Sequence, residues 1–151
     1  MILEKAIQQT KFKNANHKVI LNLVYTAGLV QAEQARFFKQ YDLSPQQYNV
    51  LRILRGQHPN PVCVGLVQER MLDQMSNASR LIEKLKLKNL LTRKECKEDR
   101  RQVDVAITKD GLDLLTEIDK EFDKFEAYIN CLDTQEASEL NALLDKLANQ
   151  F

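Results

Sequence analysis

Glycine and proline are scarce in this chain of 151 residues, with four and three copies. Against abundant Leu, Lys, Glu and Gln, that scarcity favours helix over sheet. No apolar run approaches the roughly 18 residues a membrane-spanning helix needs, so no membrane span is expected. Met1-Ile2-Leu3-Glu4-Lys5 lacks the basic stretch and continuous apolar core of a signal peptide, which makes the cytoplasm the default address. The three cysteines, Cys63, Cys96 and Cys131, are odd in number and scattered, which points to reduced thiols and not to a disulfide framework. His17 and His58 stand apart from each other and from every cysteine, so no metal-ligand spacing exists and no cofactor is expected. Nor is there a nucleophile–base pair or a phosphate-cradling glycine loop, and the chain is not read as an enzyme.

What is present fits one globular domain: 44% hydrophobic and 28% charged residues, with a net charge of only +1. The small total hides a polarity. Residues 1–79 carry net +4 and residues 80–101 net +5, while residues 110–151 carry net −8. A basic middle beside an acidic C-terminal arm is the asymmetry expected when one region faces phosphate and another does not.

Val19, Ile20, Leu23, Val24, Ala27, Val30, Phe37 and Phe38 follow helical spacing and predict one long helix from about His17 to Tyr41, preceded by a short one over 2–12. Leu43-Ser44-Pro45-Gln46-Gln47-Tyr48 is a helix start with a capping box, proline at the first helical position and a hydrophobic staple. That helix stops before His58-Pro59-Asn60-Pro61. A very short strand over Val62–Val64, a brief helix over about Gly65–Met71, a tight connection Leu72-Asp73-Gln74 and a helix over about Met75–Lys88 follow. Asn89 suits the left-handed residue that ends a helix. Leu91–Cys96 and Gln102–Ile107 read as a hairpin with a charged tip, Lys97-Glu98-Asp99-Arg100-Arg101, and Thr108 caps the next helix.

Helix, short helix, tight turn, helix and cationic hairpin make a winged helix-turn-helix, mainly α with a small β-hairpin wing. The second helix of the pair enters the major groove with its N-terminal residues toward the base edges. Here those residues are Ser76, Asn77, Ser79 and Arg80, with Lys84 one turn on; Lys86, Lys88 and Lys97 are candidates for phosphate. Arg100 or Arg101 at the wing tip would lie beside the minor groove, whose narrow form concentrates negative potential. Leu115, Ile118, Phe122, Phe125 and Ile129 recur at spacings of three and four, a heptad-like seam read as a dimer interface, with intramolecular core as the alternative. A last helix, capped by Asp133 and Glu136, adds Leu140, Leu143, Leu144 and Leu147 to that interface.

Ser79-Arg80-Leu81-Ile82-Glu83-Lys84-Leu85, then Leu90-Leu91-Thr92-Arg93, Asp99-Arg100-Arg101 and Thr108-Lys109-Asp110-Gly111, resemble the MarR family of bacterial regulators. The resemblance implies a homodimer whose N- and C-terminal helices (about 1–41 and 112–151) interlock, with winged lobes (about 44–111) on a pseudo-palindromic operator in double-stranded DNA. By that pattern Asp99 orients basic side chains at the wing base, Arg101 enters the minor groove, and the protein is a repressor answering to a small-molecule effector. Tyr25, Phe37, Phe38 and Tyr48 are the aromatic candidates to line an effector pocket, although aromatics at helical spacing are more often core. The chain departs from the family at Asn89, where glycine is usual, and at Gln74, where a better N-cap is expected. Some relatives sense oxidants through a cysteine in the first helix; this chain has none there. Cys96, near Arg93, Lys94 and Lys97, is the best placed thiol, and an inert role is favoured for all three. The competing reading is a winged helix that docks protein and binds no DNA.

Overall fold

The computed structural model describes residues 2–95, 103–127 and 130–151. In chain order it has α1 (Leu3–Ala6), α2 (Ala15–Lys39), α3 (Pro45–Gln57), β1 (Val62–Cys63), α4 (Val64–Arg70), α5 (Ala78–Leu87), β2 (Leu91–Glu95), β3 (Val103–Ile107), α6 (Lys109–Glu126) and α7 (Thr134–Ala148). Two compact units divide within α6, one spanning Met1–Thr116 and the other Glu117–Phe151. The fold is the expected one, mainly helical with a small antiparallel sheet.

In the first unit, the start of α2 is set by Asn14, whose side chain accepts the His17 N–H at 2.8 Å. The short helix before it is a single turn over 3–6, tied to α2 by a Lys18–Glu4 ion pair at 2.5 Å. The capping box opening α3 forms as read: Gln47 N donates to Ser44 Oγ at 3.2 Å and Ser44 N to Gln47 Oε1 at 2.9 Å. Leu43 and Tyr48, the staple pair, are both buried. Val50, Leu51 and Leu54 of α3 then join Val67 of α4 and Ile82 and Leu85 of α5 in the core.

The hairpin leans on a third strand. β3 is central, pairing antiparallel with β2 (Leu91 opposite Ile107, Arg93 opposite Val105) and with β1 (Val62 opposite Val105). Alternation in β3 buries Val105 and Ile107, and Leu91 of β2 joins them. Asn89 takes the left-handed conformation at φ 58°. Leu90 N donates to Leu85 O and Asn89 N to Lys86 O, the paired bonds of a Schellman ending. This turn is locked to the next helix, because Thr108 Oγ1 donates to Asn89 O at 2.7 Å and accepts from Gly111 N at 3.1 Å. A methyl on Gly111 would run into the Leu90 carbonyl and lie 2.7 Å from Ile107 Cγ1, so glycine is required there by contact.

The seam on α6 is partly covered within the chain. Leu115 and Ile118 are fully buried and Phe125 nearly so within the single chain, and Phe122 is half-buried. Leu115, Ile118 and Phe125 therefore act as core, whereas Phe122 keeps part of its surface. Ile129 lies outside the described residues. In the second unit α7 begins with the expected capping box, Asp133 Oδ1 accepting from Glu136 N and Glu136 Oε2 from Asp133 N, each at 2.9 Å. Its apolar residues Leu140, Leu143, Leu144 and Leu147 are exposed.

Candidate nucleic-acid interface

Helix α5 divides cleanly between faces. Ala78, Ile82 and Leu85 are buried and Leu81 half-buried, while Ser79, Arg80, Lys84, Lys86 and Leu87 are exposed. Arg80, Lys84 and Leu87 fall four and three residues apart and so line one face. Among the described residues, the side chains of Arg80, Lys84 and Lys86 enter no ion pair, and their cationic heads remain open to an external anion. Glu83 does not neutralise its neighbours on the helix; it is paired with Arg93 of β2, which ties the hairpin to the helix.

The start of this helix lies later than its periodicity suggests. Asn77, not Gln74, is the N-cap, its Oδ1 accepting the Arg80 N–H at 3.0 Å, so Ser76 and Asn77 precede the helix. The connection before them is fixed at almost every residue. Asp73 Oδ1 accepts from Met75 N at 3.0 Å and its Oδ2 from Ser76 Oγ at 2.7 Å, with Gln46 Nε2 at 3.5 Å. The Ser76 hydroxyl, followed by the Met75 amide, holds the Asp73 carboxyl below the ordinary aspartate value. Leu72 N donates to Asn49 Oδ1 at 2.9 Å, Gln74 Nε2 to Met71 O at 2.8 Å and Ala78 N to Gln68 Oε1 at 3.0 Å. Sequence reading missed Asp73, Asn49 and Gln68. Only Asp73 carried a signal, a serine three residues on, at the spacing of a local capping turn.

Lys88 does not stand free as a phosphate candidate would: it pairs with Asp42 at 2.8 Å and also reaches the Asp42 carbonyl. The wing residues Lys97, Asp99, Arg100 and Arg101, together with Cys96, lie outside the described residues. Cys63 has a structural task that sequence reading did not assign: it is the N-cap of α4, its Sγ accepting the Leu66 N–H at 3.5 Å where a Ser or Thr oxygen commonly serves. Cys131 is exposed.

Three of the four aromatics proposed for an effector pocket lie close together, and Tyr25 lies apart. Phe38 stacks on Tyr48 with centroids 4.1 Å apart, and Phe37 packs edge-on to Phe38 at 5.1 Å and to Tyr41 at 5.7 Å. Tyr25 lies on α2 three turns before them, about 18 Å away at a rise of 1.5 Å per residue. Phe37, Phe38 and Tyr48 thus pack on one another where α2 meets α3.

No family profile matches the chain, and no curated protein does. Solved structures do. A MarR transcription factor from Planctomyces limnophilus is 32% identical over 89% of this chain and 98% of its own, with a TM-score of 0.69. The chain belongs to the MarR family. Two further neighbours agree in fold: a MarR-like transcription regulator from Bacillus cereus (23% identity, 90% of this chain and 97% of that one, TM-score 0.80) and S. aureus MepR in a complex with DNA (18%, 93% and 100%, TM-score 0.76). The neighbours are transcription regulators and not enzymes. The chain thus has the winged-helix fold of MarR-family transcription regulators, with α4, a tight turn and α5 followed by the β2–β3 hairpin.

Proposed function

We propose that the chain is a homodimeric repressor that reads a pseudo-palindromic operator, with α5 in the major groove and the wing at the minor groove. The observation that carries this reading is the exposed face of α5, where Arg80 and Lys84 lie open beside Asn77 and Ser79 on a helix anchored through Ile82 and Leu85. Arginine contacts guanine bidentately, and serine and asparagine reach base edges or phosphate. Dimerisation is supported by apolar side chains that a single chain leaves exposed: Val19, Ile20, Val24, Leu29 and Val30 around α2, and Leu140, Leu143, Leu144 and Leu147 along one face of α7. Two copies would set their recognition helices on half-sites roughly 34 Å apart, one turn of the duplex.

A small-molecule effector is part of the proposal. One structural neighbour, Bordetella bronchiseptica BpsR, has its DNA binding regulated by 6-hydroxynicotinic acid. Here an effector would oppose operator binding by changing the separation of the two recognition helices. The deciding experiment is selection of bound duplexes from a random pool, followed by affinity of the winners across a salt series. An enriched inverted repeat whose affinity falls steeply with salt establishes the reading. No enrichment, with weak binding insensitive to salt, replaces it with a protein-docking winged helix.

A further inference from the structure

The most exposed large apolar side chains of the first unit all belong to the helix-turn-helix: Met75 at 94%, Leu72 at 87% and Leu87 at 82%. Met75 is also the one set directly before the two residues that open the recognition helix. Its exposure is not that of a slack loop. Its own N–H is held by Asp73 Oδ1, the next amide donates to Asp73 O at 3.1 Å, and Gln68 Nε2 bonds the preceding carbonyl at 3.3 Å. The backbone thus presents an exposed apolar side chain from a fixed point in the turn that leads into α5.

The polar groups next to it are partly occupied. Ser76 has given its one hydroxyl proton to Asp73, and Asn77 Oδ1 is engaged in capping. Ser76 can still accept and the Asn77 amide can still donate, but neither offers a complete donor–acceptor pair to a base. In the turn before the helix, polar readout is thus limited, and an apolar contact can add to the discrimination that Ser79 and Arg80 supply from its first turn. The major groove presents one apolar group, the 5-methyl of thymine. We propose that Met75 is a specificity-determining residue that packs on a thymine methyl in each half-site. The flexible thioether suits an irregular groove wall. This inference rests on the operator-binding reading and deepens it.

The test takes the selected operator and replaces each thymine in turn by deoxyuridine, which removes only the methyl group. Affinities are measured for the full-length protein and for Met75→Ala, which removes a side chain with almost no packing of its own. At one thymine per half-site, uridine should weaken the wild type about fourfold, the transfer value of one buried methyl. Met75→Ala should be weaker on the thymine operator and lose nothing further on the uridine one, a closed double-mutant cycle. Met75→Leu should restore the methyl dependence. Equal wild-type affinity for thymine and uridine at every position, or full methyl dependence in Met75→Ala, overturns this inference and leaves operator binding intact. No duplex binding by the wild type overturns both.

Discussion

Single side chains around the turn carry separable roles. Arg80 is exposed on α5, and with α5 in the major groove as proposed, Arg80→Ala should cost about 1–3 kcal/mol and relax preference at one base position, read by repeating the duplex selection. Lys86 is expected to touch phosphate alone; Lys86→Ala should weaken all sequences alike and reduce the slope of log affinity against log salt by about 1. Asp73 acts through the backbone. Its carboxyl is held below the ordinary aspartate value by Ser76 and the Met75 amide, so its contribution is present above the unfolded value and lost as pH falls through the folded one. Asp73→Asn should lower the thermal midpoint at neutral pH, and the gap from wild type should close in acid. A gap that persists below the folded value would show that the carboxylate is not what fixes the turn.

Among the elements, the β2–β3 hairpin and α5 are coupled at three places: the Schellman turn at Asn89, the Thr108 hydroxyl bridging Asn89 to α6, and the Glu83–Arg93 ion pair. The ion pair is surface-exposed and worth at most about 1 kcal/mol, so the covalently short turn and the packing beneath it do most of the positioning. Gly111 is the most sensitive point of this joint. Gly111→Ala puts a methyl against the Leu90 carbonyl and Ile107, and should destabilise by about 1–3 kcal/mol in denaturant unfolding. The same logic makes Ser44→Ala a milder change, about 0.5–2 kcal/mol, since it removes one cap from a helix that is otherwise well buried.

For the whole molecule, what matters is which apolar surface remains uncovered. Leu143 on α7 is 64% exposed and Val24 on α2 is 69% exposed. Leu143→Glu and Val24→Glu should leave the chain folded and shift it toward monomer in sedimentation, with a matching loss of operator affinity. Dimers of unchanged stability would remove these faces from the interface. Linkage supplies a further check: an effector that lowers operator affinity by some factor must have its own affinity lowered by the same factor when operator is bound.

Much of this was legible in the order of residues alone, wherever the determinant is local. Ser44-Pro45-Gln46-Gln47 and Asp133 with Glu136 fix helix starts through bonds spanning three residues. Asn89 ends α5 because its own backbone tolerates positive φ, and the alternation of Val103, Val105 and Ile107 sets one face of a strand. The face of α5 carrying Arg80 and Lys84 was legible for the same reason, since residues three and four apart share a side of a helix. Periodicity cannot say what stands opposite a face. Only the tertiary structure decided that Leu115 and Ile118 are covered by their own chain while Leu143 is not, and that Phe38 and Tyr48 fill a corner. Distant partners likewise decided that Gln68 holds the start of α5, that Lys88 is taken by Asp42, and that Met75 is held outward.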